Sequence, residues 1–289
     1  MIIGDNKETV IENIKNATEL GQFNIKVEVN DPNLSDEQRD EIIDKYLSRR
    51  NKITYKLNNK TARMIADAVS WSENKVTEIV GLENIKDINT GAIITSNHFN
   101  PLDSLIIRKL VRKLGKKHLY IVAQETNLAM TGLIGYMMNY TDIIPISRKI
   151  SYMKHEFSDI LEEKINKKQF VLIYPEQEMW FNYKKPRPPK PGAYYFAAKN
   201  NVPIIPCFVE MIDTGEEETE EFNKIKYILH VLKPIYPDKE KTAKENSKIM
   251  MEKDYRQKIQ AYEKAYNTKL DYTFRYDDIA GLKNRNLIQ

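Results

Sequence analysis

Six short apolar runs, "GAIITS", "LYIVAQ", "DIIPIS", "FVLIYP", "IIPCFVEM" and "KYILHVL", recur between Gly91 and Leu232, with stretches of helical periodicity between them. A strand with one wet face alternates apolar and polar residues. Runs that are apolar almost throughout are covered on both faces, which requires helices on either side of the sheet. The fold class is therefore α/β: a mixed, mainly parallel sheet flanked by helices near residues 101–114, 128–139, 152–167 and 191–200. In such sheets ligands gather outside the carboxyl ends of the strands, so the residues that follow each run are where chemistry is expected.

The first ninety residues read differently. "KETVIENIKNATEL", "LSDEQRDEIIDKYL" and "NKTARMIADAVSWSENKV" predict three helices, the second opened by Ser35 and Gln38 at capping-box spacing. "FNIKVEVNDPN", residues 23–33, is either a short strand or an extended connector. Residues 1–90 are thus expected to be a helical N-terminal addition away from the chemistry, and residues 91–289 an α/β domain ending in a charged helical tail, "ENSKIMMEKDYRQKIQAYEKAYNTKL".

Composition excludes several classes. With 41% apolar and 30% charged residues the chain is of the soluble globular type, and no run approaches the roughly 20 apolar residues of a membrane span. The start, "MIIGDNKETVIEN", lacks the basic and then apolar pattern of a secretory signal, and one cysteine, Cys207, makes no intrachain disulfide. A cytoplasmic setting is expected. Four scattered histidines and one cysteine give no zinc spacing, so no metal is expected. The net charge of +4 is concentrated in "RKLVRKLGKKH", residues 108–118, against the acidic "DTGEEETEE" at 213–221. Ile107, Leu110, Val111 and Leu114 share a helical face while Arg108, Arg112 and Lys116 recur elsewhere on the wheel. That pattern fits a solvated face on a core-packed helix, or a surface for anionic lipid or a phosphorylated ligand. Without a basic stripe interleaved with aromatics, nucleic acid is not an expected partner. "TNLAMTGLIGYMMNY", residues 126–140, is either a core helix or the wall of an acyl-chain groove or interfacial patch.

"SNHFNPLD", Ser96 to Asp103, directly follows the first apolar run. Locally, Asn100 can cap a helix that has Pro101 at its first position and Asp103 at its third. Chemically, His98 with a carboxylate in reach suits a general base and its orienting partner. Both readings can hold at once.

"NHFNPLD" is an H-x4-D arrangement, and "IIPISR", "YPEQEMW" and "VPIIPCF" follow it in order. Together the four blocks, spanning about Gly91 to Met211, resemble the glycerolipid acyltransferase family, which includes lysophosphatidate acyltransferases. The resemblance implies transfer of a fatty acyl group from a thioester, on coenzyme A or acyl carrier protein, to a hydroxyl of a lysophospholipid or glycolipid, without a permanently bound cofactor. It assigns His98 as the base and Asp103 as the residue that orients it, with Asn97 beside them as a substrate contact. It makes Arg148 a contact for an anionic acceptor head. The basic run and the Met-rich segment add the expectation of a peripheral seat at the inner face of the cell membrane, touching anionic lipid.

One block departs from the family. Where Glu-Gly-Thr-Arg is usual, this chain has "EQEM": Glu176 is kept, and Gln177, Glu178 and Met179 follow. Glu176 and Gln177 are expected near the acceptor. Lys184, Lys185 and Arg187, in a proline-rich loop fixed by its composition, are the cations that can stand in for the absent arginine. The alternatives are an acceptor with a neutral head, or a non-catalytic lipid- or acyl-carrier-binding protein on the same fold.

Overall fold

The computed structural model describes residues 6–29 and 34–283, so the end of the expected 23–33 connector lies outside the described residues. The strands are β1 (Glu78–Val80), β2 (Ala92–Thr95), β3 (Leu119–Gln124), β4 (Ile143–Ile146), β5 (Phe170–Ile173), β6 (Ile204–Glu217) and β7 (Asn223–Val231). They form one sheet in the order β1-β7-β6-β2-β5-β3-β4, parallel throughout except where β6 and β7 pair antiparallel. All six apolar runs are strands. Sequence reading missed β1, a three-residue edge strand with Glu78 and Val80 exposed, too short to print a period. Every residue of β2, at the centre, is buried.

The helices are α1 (Lys7–Glu19), α2 (Asp36–Arg49), α3 (Ile53–Glu73), α4 (Ser104–Lys113), α5 (Gly132–Tyr140), α6 (Ile150–Lys154), α7 (Glu156–Asn166), α8 (Gly192–Lys199) and α9 (Ala243–Tyr266). The capping box at Ser35 is present, with Ser35 N–H donating to Gln38 Oε1 at 2.9 Å. The expected helix over 152–167 is two helices, because His155 leaves helical geometry at φ −110 and ψ −81. Residues 23–25 form a turn and bend, and residues 26–29 connect onward without strand pairing.

α3 buries the small face Asn59, Ala62, Ala66 and Ser70. Ser70 Oγ donates to the Leu105 carbonyl at 2.7 Å, so that face lies on the start of α4. α5 is not a core helix: only Gly135 of it is buried, and Leu133 and Ile134 are exposed. A Cβ on Gly135 would lie 1.9 Å from the Met130 carbonyl oxygen, so glycine is required where the helix folds back on its own entry.

The basic run is largely spoken for within the protein. Arg108 is buried 3.6 Å from Asp67, Arg112 pairs with the same carboxylate, and Lys109 Nζ donates to the Asn74 and Thr77 carbonyls. Lys116 Nζ donates to the Lys168 carbonyl at 2.6 Å. Arg108, Lys109, Arg112 and Lys116 thus fasten α4 to its neighbours, while Lys113 and Lys117 are exposed.

A second apolar cluster lies apart from the main core. In it α1, through Val10, Ile11 and Ile14, packs on Trp180, Phe181 and Tyr183 in the loop after β5 and on Phe222 and Ile279. The N-terminal region is therefore built into the walls of that loop, which the sequence reading had set apart from it.

Candidate active site

The site grows from the carboxyl end of β2. Two residues past the end of β2, the Asn97 amide bonds Val209 of β6 in both directions, Nδ2 to its carbonyl at 3.1 Å and Oδ1 from its N–H at 2.8 Å. This side chain continues the sheet pairing where the backbone has left it, and so fixes the turn that carries His98. The turn is closed by Asn100 Oδ1, which accepts from Leu102 N–H at 3.0 Å.

Asp103 points back into the same turn. Its Oδ2 accepts from His98 Nδ1 at 2.8 Å, from Phe99 N–H at 3.0 Å and from Asn100 N–H at 3.3 Å. The helix begins only at Ser104 and receives no side-chain cap from Asp103. The expected cap by Asn100 with Asp103 at the third helical position is therefore replaced by a loop whose donors converge on one carboxylate. A carboxylate accepts only, so Nδ1 carries the imidazole proton and Nε2 presents its lone pair. The Asp103 side chain is 3% exposed and that of His98 21%, so the imidazole reaches solvent while its partner does not.

Strand pairing adds a residue that sequence reading missed. β2 and β5 are neighbours with Thr95 opposite Ile173, which places Tyr174 beside the His98 turn. Its ring stacks on the imidazole at 3.9 Å and 14°, and its hydroxyl donates to Asp103 Oδ1 at 2.5 Å. Burial, and then the charge of Asp103, push this hydroxyl well above the usual tyrosine range, so it stays a donor. The signal was its place at the carboxyl end of an apolar run, the end at which His98 also stands.

Glu176 and Arg187 form the floor. Glu176 is buried; its Oε2 accepts from His98 N–H at 3.2 Å and Arg187 Nε at 3.1 Å, and its Oε1 from Arg187 N–H at 2.9 Å. Arg187, 2% exposed, also donates to the carbonyls of Phe23 at 2.9 Å, His98 at 3.4 Å and Glu178, and lies over the Trp180 ring. The pair holds His98 from its N–H and its carbonyl at once. Asn24 Nδ2 donates to the Glu176 and Pro188 carbonyls, and Trp180 Nε1 to the Ile25 carbonyl, so residues 23–25 strap the loop from outside. Nothing in the local sequence marked this strap.

The remaining expected contacts divide. Asn97, Glu176 and Lys185 have their polar atoms turned inward: Lys185 is buried with Nζ 2.7 Å from Asp278 and 2.9 Å from the Thr273 carbonyl. Arg187 is likewise committed to Glu176, so neither cation is free to replace the arginine absent from "EQEM". Lys184 Nζ donates to the Asp277 carbonyl at 2.7 Å. Gln177 is exposed in a left-handed conformation, φ 70, with its N–H on the Tyr174 carbonyl. Arg148, two residues past β4, is exposed and has no ion pair among the described residues. Lys190 is exposed too, and its backbone N–H bonds the Pro175 carbonyl at 2.8 Å. Among the described residues no cluster of three or more His, Cys, Asp or Glu side chains is placed to hold a metal ion, and no helix is long and apolar enough to cross a membrane.

Residues 76–210 match the Acyltransferase family model. The chain is 28% identical over 169 residues to the chloroplastic 1-acyl-sn-glycerol-3-phosphate acyltransferase BAT2 of Brassica napus, covering 56% of this chain and 46% of that protein. It is 28% identical over 170 residues to the chloroplastic enzyme LPAT1 of Arabidopsis thaliana, covering 56% and 44%. The chain thus spans less than half the length of these curated relatives. The crystal structure of the 1-acyl-sn-glycerophosphate acyltransferase PlsC from Thermotoga maritima aligns with a TM-score of 0.48 and 15% identity over 91% of this chain and 97% of that one. Residues 76–210, which carry the His98 turn and the Tyr174 to Arg187 loop, are thus similar to the Acyltransferase family, and the two plant relatives of the chain are 1-acyl-sn-glycerol-3-phosphate acyltransferases.

Proposed function

We propose that this protein transfers a fatty acyl group from a thioester, on coenzyme A or acyl carrier protein, to a hydroxyl of a lysophosphatidate-type glycerolipid. The observation that carries the reading is the His98–Asp103 pair at 2.8 Å on the carboxyl end of the central strand, with Nε2 turned outward. In this reaction Nε2 takes the acceptor's hydroxyl proton as its oxygen attacks the thioester carbonyl. Asp103 stabilises the imidazolium that forms. Collapse of the tetrahedral intermediate breaks the C–S bond, the ester is released, and the proton passes to the departing thiolate. No enzyme nucleophile is required, because a thiolate leaves readily. Cys207 is unsuited to that role: it lies fully buried in β6 with its thiol pushed up to about 12 by burial.

Two surfaces complete the reading. A cleft of about 410 Å³ between α2 and α5, lined by apolar Ile42, Leu128 and Met130 and by polar Lys45, Arg49 and Asn139, offers an amphipathic lipid both kinds of wall. On α3, Ile53, Leu57, Met64 and Trp71 are exposed. At 100° per residue they fall within a narrow stripe opposite the buried face of Asn59, Ala62, Ala66 and Ser70. Lys56 and Lys60 are exposed on the same helix, so a peripheral seat on an anionic membrane is assigned to α3 in place of the committed basic run of α4.

A second reading of the acceptor has its own support. With Lys185 and Arg187 paired internally, a phosphomonoester meets fewer fixed cations than "EQEM" had seemed to leave available, and a neutral head fits better. Radiolabelled acyl transfer to a panel of lysophosphatidate and neutral-head acceptors, compared by kcat/KM, tests both. A preference for lysophosphatidate that is lost in Arg148→Ala supports the first, and a preference for neutral heads the second. Absence of turnover with every acceptor and both donors sinks the enzymatic reading and favours a lipid- or acyl-carrier-binding protein.

A further inference from the structure

We infer that Tyr174 is a positioning residue of the His98–Asp103 pair, whose hydroxyl holds the Asp103 carboxylate in the rotation that serves the imidazole. The inference rests on the acyl-transfer reading for its kinetic consequence, and on geometry for its structural one.

The two oxygens of Asp103 are served unequally. Oδ2 receives His98 Nδ1 and the N–H groups of Phe99 and Asn100, whereas the bond recorded to Oδ1 is that of the Tyr174 hydroxyl at 2.5 Å. Asp103 is 4% exposed, so water does not readily replace a lost donor there. Without the hydroxyl, a buried carboxylate oxygen is left without a partner and the carboxylate gains by rotating or by drawing its Oδ2 donors closer. Either response moves the hydrogen bond that fixes the imidazole.

Tyr174 acts from a second direction. Its ring lies against the imidazole at 3.9 Å and 14°, which restrains the imidazole from tipping out of the plane in which Nδ1 meets Oδ2. Around the pair stand Tyr174 and Glu176 from beyond the end of β5, Arg187 from the proline-rich loop through the His98 carbonyl, and Phe99 against Tyr227 of β7. Of these, Tyr174 touches both the base and its carboxylate by side chain. It does not itself exchange the proton, since its hydroxyl is held well above the usual range.

The test uses the full chain, Tyr174→Phe, which keeps the ring and the fold and removes the hydroxyl. Acyl transfer is expected to lose about tenfold in kcat with the acceptor KM unchanged, the scale of one hydrogen bond to a charged group. The double variant Asp103→Asn with Tyr174→Phe is expected to be no slower than Asp103→Asn, since the hydroxyl acts only through Asp103. In protein with ¹⁵N-labelled histidine, the downfield proton resonance of His98 Nδ1–H is expected to move in Tyr174→Phe, a readout that needs no turnover. Wild-type kcat with an unmoved His98 resonance overturns the inference. If no preparation transfers acyl groups, the proposed function fails, and the His98 resonance still decides the role of Tyr174.

Discussion

The molecule holds the same pair of groups at both ends of its sheet. At the carboxyl end, His98 Nδ1 meets Asp103 at 2.8 Å; at the amino ends of β3 and β4, His118 Nδ1 meets Asp142 at 2.9 Å. Both histidines stack on a tyrosine, Tyr174 at 3.9 Å and Tyr120 at 5.6 Å, and both carboxylates are buried. What differs is whom the carboxylate serves. Asp103 takes donors from the His98 turn and from Tyr174, all of which fix one imidazole. Asp142 accepts from Asn59 of α3 at 2.7 Å and lies 3.7 Å from Arg63 of the same helix, so its charge is spent tying α3 to the sheet. A histidine–carboxylate contact is thus no site by itself; the strand end it occupies and the other donors on the carboxylate decide.

Replacing the histidines breaks the comparison most directly. His98→Ala should lower acyl transfer by a factor of about 100 or more, the usual contribution of a general base, with the fold intact by circular dichroism. His118→Ala should leave kcat within about twofold, because Asp142 keeps Asn59 and Arg63. Equal losses in the two variants would show that the position in the sheet had not separated them.

The next largest effect falls on stability. At the His98 end the ion pair beneath the site is almost wholly buried, Glu176 and Arg187 having side chains 3% and 1% exposed. Arg187→Met strands a buried carboxylate and should cost about 3–5 kcal/mol of unfolding free energy in urea, whereas Glu176→Gln with Arg187→Met should cost less than Arg187→Met alone. At the other end Arg63 is 16% exposed and 3.7 Å from Asp142, so Arg63→Met should cost about 1 kcal/mol or less. An Arg187→Met protein as stable as the wild type would show that the floor of the site is not held by this pair.

These contrasts also show what was legible beforehand. His98 and Asp103 are five residues apart on one turn, and a short spacing after an apolar run is readable. His118 and Asp142 are brought together only by the pairing of β3 with β4, so their contact left no local trace. Six of the seven strands were readable because covered strands are apolar throughout. β1 was not, since three residues on an edge carry no pattern. Arg187 was read as a spare cation for substrate because a charge in a proline-rich loop is normally wet. That Glu176, eleven positions earlier, would be buried and require it depends on the N-terminal strap, which joins residues more than 150 positions apart.

A smaller effect distinguishes the outer faces. If α3 rather than α4 meets lipid, Leu57→Glu with Trp71→Glu should weaken binding to vesicles of anionic phospholipid by about tenfold or more, through lost apolar burial and added repulsion. Lys113→Ala with Lys117→Ala, two exposed cations of the basic run, should weaken it only a few-fold. The reverse order, read by vesicle sedimentation at low and high salt, would return the membrane seat to α4.

The smallest expected effect is none, and it sharpens the comparison because it concerns a group with the chemistry of a nucleophile but the surroundings of a core residue. Cys207 lies in β6, whose neighbouring residue Pro206 is opposite Thr95, one strand from the His98 turn. It is 0% exposed, and burial pushes its thiol up to about 12, with Asp254 raising it and Lys258 opposing. Below its pKa the thiol stays protonated, so at pH 8 the thiolate is only about one part in ten thousand. Iodoacetamide at that pH should therefore leave both mass and acyl transfer unchanged in the folded protein, and modify Cys207 only once urea exposes it. Inactivation accompanied by a single alkylation at Cys207 under native conditions would bring back an acyl-enzyme route, and His98 would then activate a thiol rather than the acceptor hydroxyl.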